Sequence, residues 1–426
     1  MKKKHIITSV LSLALLFSSC GKYLDKYPDN RMELHTPEDA AKFLVSAYPD
    51  AHAAYLLEMY SDNSDEHDYT SWSAISPFQE QAYRWSDISE IREQETPQQL
   101  WDAHYTAITV CNEVLKHVAG VSNKDAYASQ VAEAKLCRAY SMFQLANVFC
   151  QAYAPETAAS DYGLPYPTEP EEHPGRTLHH RGTLEALYKH IEQDLTEGLQ
   201  DINSANYGKP KYHFTAQAAH AFAARFYLYY NKPEKAKEYA DKVLGADPQS
   251  RLRQWESIFA NINAENVNAK ALAYSSLAEP ANLLVVSLKS NYPSLTTSGE
   301  YFTATRYAHQ NRTADEETLW ANIWNKGGAH DEYNFSPYIF NKVYTDKVYQ
   351  PKMPDLGNGR TKEVLLTTDE LLINRAEAEV RLGDYEAALR DLNAWTDVYL
   401  RKSVAKRTFT EAELKAYYDK LPYADK

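Results

Sequence analysis

The chain has 426 residues, 44% of them hydrophobic, enough to bury a large core as one big domain or a few smaller ones. A net charge of -13 excludes a general nucleic-acid binder, because neutralising phosphates takes a basic face. Four cysteines are too few for the disulfide framework of a small secreted domain.

Lys2, Lys3 and Lys4 precede an apolar run from Ile6 to Phe17, the layout of a secretory signal peptide. The run is too short to cross a bilayer, which takes roughly 20 apolar residues. Ser18 and Ser19 lead into Cys20, an arrangement that resembles the lipobox of bacterial lipoproteins, with Phe17 where leucine is usual. Residues 1–19 are therefore expected to be removed and Cys20 to be lipidated as the first mature residue, followed by a tether over residues 20–35. No second long apolar run follows, so membrane attachment rests on acyl chains, each buried methylene contributing about 0.8 kcal/mol.

The segment TPEDAAKFLVSAY is a helix start, with Thr36 as N-cap, Pro37 in the first turn and Asp39 three residues past the cap. Residues 61–95 lack a sustained helical period and read as a long ordered insertion with short helices. Thr96 and Pro97 then open a helix that closes at Gly120. AEAKLCRAYSMFQLANVF is a further helix, and the next carries Leu184, Leu187, Tyr188, Ile191, Leu195 and Leu199 on one stripe. Ala224, Tyr227, Ala236, Ala240 and Pro248 fall at the spacings of a tetratricopeptide helix pair; Leu372, Ala376, Gly383, Asp384, Ala388 and Leu392 repeat them. Four such pairs are expected, over about 36–118 (a helix from Thr36 to Tyr55 with one from Thr96 to Val118), 126–202, 213–248 and 367–400, in a single domain spanning 36–426. Residues 250–365 form a second insertion rich in Tyr, Trp, Asn, Ser and Pro, with a strand expected at Asn282 to Leu288. Stacked pairs bury a continuous core only when neighbours touch, so both insertions must leave the stack and return. Cys111, Cys137 and Cys150 read as core thiols, and without a CxxC pair no structural zinc is expected.

Taken together the residues resemble the SusD/RagB family of outer-membrane nutrient-binding lipoproteins. YLDKYP (Tyr23 to Pro28) is similar to the family's opening after the lipidated cysteine. Trp101, Tyr105, Ile108 and Asn112 match one family helix; Glu133, Ala134, Leu136, Arg138, Ala139, Phe143 and Leu145 match the next. YGLPYP (Tyr162 to Pro167) and ELLINRAEAEVRLGDYEAALRDLN match the following loop and the last helix pair. Family members run on through a further Arg-rich segment that this chain, ending at Lys426, is expected to lack. The fold class so implied is mainly α: tetratricopeptide-like pairs in a right-handed superhelical scaffold with long loop-rich insertions.

The resemblance implies a protein lipid-anchored on the extracellular face of the outer membrane, beside a SusC-like TonB-dependent barrel, to which it delivers captured oligosaccharides without catalysis or cofactor. Sugars lay apolar C–H faces on flat rings and bind their hydroxyls at the edges. Expected ligand residues are Tyr69, Trp72 and Trp85 in the first insertion and Tyr301, Trp320, Trp324 and Tyr333 in the second, with Asp65 and Arg312 as polar partners. Trp101 and Trp255 read as core. A shallow site of this kind implies binding on the order of -4 to -8 kcal/mol. An enzyme is the weaker reading: the carboxylates of SDNSDEHDY lack the glycine and spacing of a calcium loop, the neighbouring His173, His179 and His180 lack the spaced ligand of a catalytic metal site, and no GxSxG, Walker or HExxH motif occurs. A scaffold that holds proteins or peptides in a tetratricopeptide groove is the remaining alternative.

Overall fold

The computed structural model describes residues 34–66, 76–170, 179–205, 207–259, 262, 267–292, 302–303, 344–347, 359–400 and 406–420. Cys20 and most of its tether lie outside the described residues. The first helix, α1 (Pro37–Phe43), is closed by a capping box in which Asp39 N–H donates to Thr36 Oγ1 at 3.1 Å and Thr36 N–H donates to Asp39 Oδ2 at 3.2 Å. The expected helix from Thr36 to Tyr55 does not run through. It gives way to a 3-10 turn at Leu44–Ala47 and resumes as α2 (Ala54–Met59). Pro49 explains the break, because the residue before a proline is driven out of the helical region, and Tyr48 is extended at φ -96°, ψ 124°.

A two-residue strand β1 (Asp65–Glu66) and a short helix α3 (Pro77–Tyr83) belong to the first insertion. Then come the long helices α4 (Pro97–Gly120), α5 (Ala128–Phe149) and α6 (Leu184–Asp201), followed by α7 (Ala216–Tyr229) and α8 (Pro233–Leu244). The second insertion holds α9 (Trp255–Phe259), α10 (Val267–Tyr274), β2 (Asn282–Leu288), β3 (Phe302–Thr303), β4 (Tyr344–Lys347) and β5 (Gly359–Thr367). The chain continues through α11 (Thr368–Arg381), α12 (Tyr385–Tyr399) and α13 (Glu411–Tyr418). The fold is mainly helical, as the sequence predicts, and β2 forms where NLLVVSL was expected.

Helix packing follows small residues. Gly198 on α6 is required by a close crossing: a Cβ there would sit 2.7 Å from Leu136 Cγ and 2.9 Å from the Ala132 carbonyl on α5. The α7–α8 pair meets over Ala221, Ala224, Ala236 and Ala240, all buried. Asn231 and Gly383 turn the α7–α8 and α11–α12 connections in the left-handed region, at φ 57° and 79°. Although more than a hundred residues of sequence separate them, α8 packs against α11, so the second insertion leaves the stack and returns. It returns through an antiparallel sheet of order β2-β5-β4, in which Val285 faces Val364 and Thr345 faces Thr361. Cys111 and Cys137 are free and buried in the main core, where burial raises both thiols above their usual range; Cys150 is free and half-buried. Trp255 is fully buried against Tyr399, as expected of a core indole.

Buried ion pairs lock these helices. Arg138 on α5 makes a two-pronged contact with Asp194 on α6 at 2.6 and 2.8 Å and donates to Asn112 on α4 at 2.7 Å. Asn112 donates in turn to the Pro167 carbonyl at 3.0 Å, and the Tyr166 hydroxyl donates to Asp194 at 2.5 Å, which pins the 162–170 loop to the helices. Arg375 on α11 repeats the device with Asp391 on α12 at 2.6 and 2.8 Å, and reaches Asp241 of α8 at 3.0 Å. Glu133, fully buried, accepts from the Tyr48 hydroxyl at 2.7 Å and from the Tyr207 hydroxyl, and faces His213 Nδ1 at 2.7 Å.

Removing one member of a buried pair strands the other charge. Arg138→Met is expected to cost about 3–5 kcal/mol of unfolding free energy in denaturant titrations. Lys135→Ala, which removes only the more exposed pair to Glu197, should cost less than about 1 kcal/mol. Equal losses would show that the buried triad holds nothing together.

Candidate functional site

The two insertions meet at a short antiparallel ladder, β1 against β3, with Asp65 opposite Thr303 and Glu66 opposite Phe302. Beneath it lies a second apolar cluster, separate from the main core, of Tyr55, Leu56, Met59, Phe78, Ala82, Leu100 and Phe302. Tyr83 at the end of α3 stacks on Phe302 with ring centroids 4.4 Å apart. Ser76 starts α3 by accepting from Gln79 N–H at 3.3 Å, and its hydroxyl donates to Glu93 at 2.6 Å. The small core thus fixes the end of α3 against both insertions.

Trp85 projects from that end. It is 74% exposed, and its ring meets Tyr60 edge-on at 5.2 Å. Its backbone is left-handed at φ 53°. The hydrogen bonds explain why: Ser86 N–H donates to the Gln81 carbonyl at 2.9 Å and Trp85 N–H to the Ala82 carbonyl at 3.1 Å, the paired bonds of a Schellman helix end. Glycine is the usual occupant of this position, and a bulky residue in the left-handed region carries about 1–3 kcal/mol of strain. An indole held in such a backbone and left in water has been placed at a cost to the fold. Arg84 beside it pairs with Glu66 and Glu80, each at 3.1 Å, tying β1 to α3.

Behind this edge, Glu95 joins the first insertion to the second. It is fully buried, left-handed at φ 66°, and accepts from the Ser290 hydroxyl and the Asn291 N–H at 2.6 Å each. Burial outweighs those hydrogen bonds and, with a smaller push from Glu363, raises its carboxyl to about 8, so it is protonated at neutral pH. His104 nearby on α4 is held neutral by burial, its pKa lowered to about 3. Among the described residues no group of three His, Cys, Asp or Glu is arranged to hold a metal ion.

Solved structures with this architecture include a SusD superfamily protein from Bacteroides thetaiotaomicron, 15% identical, with a TM-score of 0.62 over 87% of this chain and 82% of that one. A SusD superfamily protein from Bacteroides fragilis is 16% identical, with a TM-score of 0.62 over 90% and 85%. A laminarin-binding SusD-like protein is 17% identical, with a TM-score of 0.55 over 90% and 88%. No curated protein matches the sequence. Residues 22–228 match the SusD-like_3 family model, described as starch-binding and associating with the outer membrane. The first half of the chain is thus similar to the SusD-like family, and the fold is that of these solved structures.

The residues that carry the resemblance act as braces. Tyr105 donates to the Pro165 carbonyl at 2.8 Å, Asn112 and Arg138 form the buried junction, and Glu133 collects Tyr48, Tyr207 and His213. Of the expected ligand residues, Trp85 stands in the open. Asp65 lies on β1, half-buried, where its carboxylate accepts from Glu66 N–H at 2.8 Å and the Tyr83 hydroxyl at 3.5 Å, so it shapes the ladder. Tyr69, Trp72, Tyr301, Arg312, Trp320, Trp324 and Tyr333 lie outside the described residues. Trp101, read as core, is only half-buried: it packs on Tyr105 and Phe149 and also borders a cavity. Tyr60 was missed; its position at the end of α2, one residue before the insertion, was the available signal.

Trp85 and Glu95 each give a measurable outcome. Trp85→Gly should leave unfolding free energy unchanged or raise it by up to about 1 kcal/mol, because glycine relieves the left-handed strain; a clear loss of stability would mean the indole is structural. For Glu95, a folded pKa above the unfolded value means the native state binds more protons between the two, so the stability this group contributes is fully present below about pH 4.5 and is lost toward pH 8. Glu95→Gln, measured by denaturant unfolding at several pH values, should flatten that decline.

Proposed function

We propose that this SusD-like chain is a non-catalytic glycan-binding protein that uses the Trp85 edge as part of its sugar platform. The observation that carries the reading is the exposed indole held in a strained backbone beside Tyr60, at the seam where both insertions converge. Sugar C–H faces lie on such rings, and the flanking charged and hydroxyl groups, Arg84, Glu66 and Ser86, can bind hydroxyls at the rim. The starch-binding description of the matching family and the laminarin-binding structural neighbour support the same class of ligand.

The finer role extends this reading. Cys20, lipidated, anchors the protein at the outer membrane facing outward, and the bound oligosaccharide passes to a SusC-like TonB-dependent barrel. Tyr69, Trp72, Tyr301, Trp320, Trp324, Tyr333 and Arg312 complete the platform. The description of the family as associating with the outer membrane supports the location.

The direct test is a glycan array with the full chain, followed by Trp85→Ala. Binding should weaken by about tenfold or more, equivalent to 1.4 kcal/mol, with no reducing ends released from any glycan. Unchanged binding would remove Trp85 from the platform, and released sugar would replace capture with hydrolysis. Cys20→Ser should shift the protein from the membrane to the soluble fraction on cell fractionation.

A further inference from the structure

Two cavities flank α4. The larger, about 930 Å³, lies between α4, the 3-10 turn at Leu44–Ala47, strand β2 and the Lys209–His213 segment. The smaller, about 560 Å³, lies between α4 and the Pro165–Glu169 strip. Both are in the size range of ligand sites. Asp102 and Thr106, one helical turn apart and both exposed, line the two cavities alike. They form a low ridge with a cavity on each side.

The walls have complementary chemistry. In the smaller cavity Trp101 and Tyr105 lie 4.7 Å apart with rings inclined by 37°, and the Trp101 indole N–H has no acceptor among the described residues. Tyr105 is fixed by its bond to the Pro165 carbonyl and Asn112 by its bond to the Pro167 carbonyl, so this wall is formed before any ligand arrives. Thr106 and Thr109 donate their hydroxyl protons to the helix carbonyls of Asp102 and Tyr105, at 2.7 and 3.0 Å, which leaves their lone pairs for an incoming donor. In the larger cavity Asp50 is balanced by Arg360 at 2.6 Å and Lys289 at 3.5 Å, while Gln94, Gln99 and Lys209 supply further polar groups. An apolar ligand would strip water from all of these without replacing its hydrogen bonds. A polyanion would meet Asp102 and Glu169. A neutral, hydroxyl-rich chain satisfies both the single indole and the polar walls.

We infer that the outer face of α4 is a second saccharide site, an elongated groove in which one sugar ring rests at Trp101 and the chain crosses the Asp102–Thr106 ridge into the larger cavity. The two cavities, about 560 and 930 Å³, together give room for more than one ring. The inference rests on glycan binding as the function of the chain, but not on Trp85 as the platform.

The test is calorimetric titration of the full chain with hexasaccharides of α-glucan, β-glucan, mannan, xylan and fructan, and with the matching disaccharides. Wild type is expected to bind its best hexasaccharide at two sites. Asp102→Arg/Thr106→Arg fills the ridge from exposed positions and should abolish one site while leaving the other within about twofold; thermal melts check that it folds. The site lost should prefer hexasaccharide over disaccharide by about tenfold or more. One site in wild type, lost in Trp85→Ala and untouched by the ridge variant, would overturn the groove and leave the proposed platform standing. Loss in the ridge variant with full binding in Trp85→Ala would support the groove and remove the platform. Absence of binding to every hexasaccharide would overturn both.

Discussion

The guanidinium of Arg138 is where the helical frame is joined. It sits between α4, α5 and α6 and satisfies Asp194 with two parallel bonds and Asn112 with a third. Asp194 also accepts from the Tyr166 hydroxyl, and Asn112 donates to the Pro167 carbonyl, so one charge fixes three helices and the loop that follows them. A buried pair seldom adds much net stability, because desolvation offsets the attraction. Its value here is geometric: the bidentate fork has one register, and any other packing of α5 on α6 would leave an unpaired ion in the core. Arg375 with Asp391 and Asp241 imposes the same restriction at the far end of the stack.

With the frame fixed, the insertions are free to carry chemistry. They share a small apolar cluster with α2 and the start of α4 and are stitched together by backbone pairing at β1–β3 and by the Glu95 clamp on Ser290 and Asn291. Two of the three non-glycine residues with left-handed backbone among the described residues, Trp85 and Glu95, lie at this edge; the third, Asn231, turns between α7 and α8. Local strain of this kind persists only where surrounding structure over-determines it, and it marks where selection acted on something other than stability.

Much of the frame was legible in the sequence because its signals are local. Thr36 and Thr96, each followed by proline, cap helices as expected, and the alanines of α7 and α8 lie at the crossings. The helix predicted through Tyr55 failed because a sustained apolar pattern hid a proline signal at Pro49. Strand β5 was hidden for a different reason: two of its inward positions are Thr361 and Glu363, both buried, so an apolar count finds no strand there. Arg138, Glu133 and Glu95 look like solvent-facing charges in a one-dimensional reading, since their partners lie tens of residues away. Aromatic content located Trp85 in the right insertion, but neither its left-handed backbone nor the company of Tyr60 could be read from residue order. Trp101 fell between the two categories, its size pointing to the core and its position on α4 leaving part of it at a cavity.

Strand β5 passes into α11 without a linker, and Thr367 closes the one while capping the other through Glu370 N–H at 3.1 Å. Sliding β5 past β2 by a single residue would reverse which side chains face inward and would also drag that hydroxyl off the helix it starts. The hairpin and the final helix pair therefore behave as one ratchet tooth and its bar: the sheet cannot slip a notch unless the first turn of α11 unwinds with it.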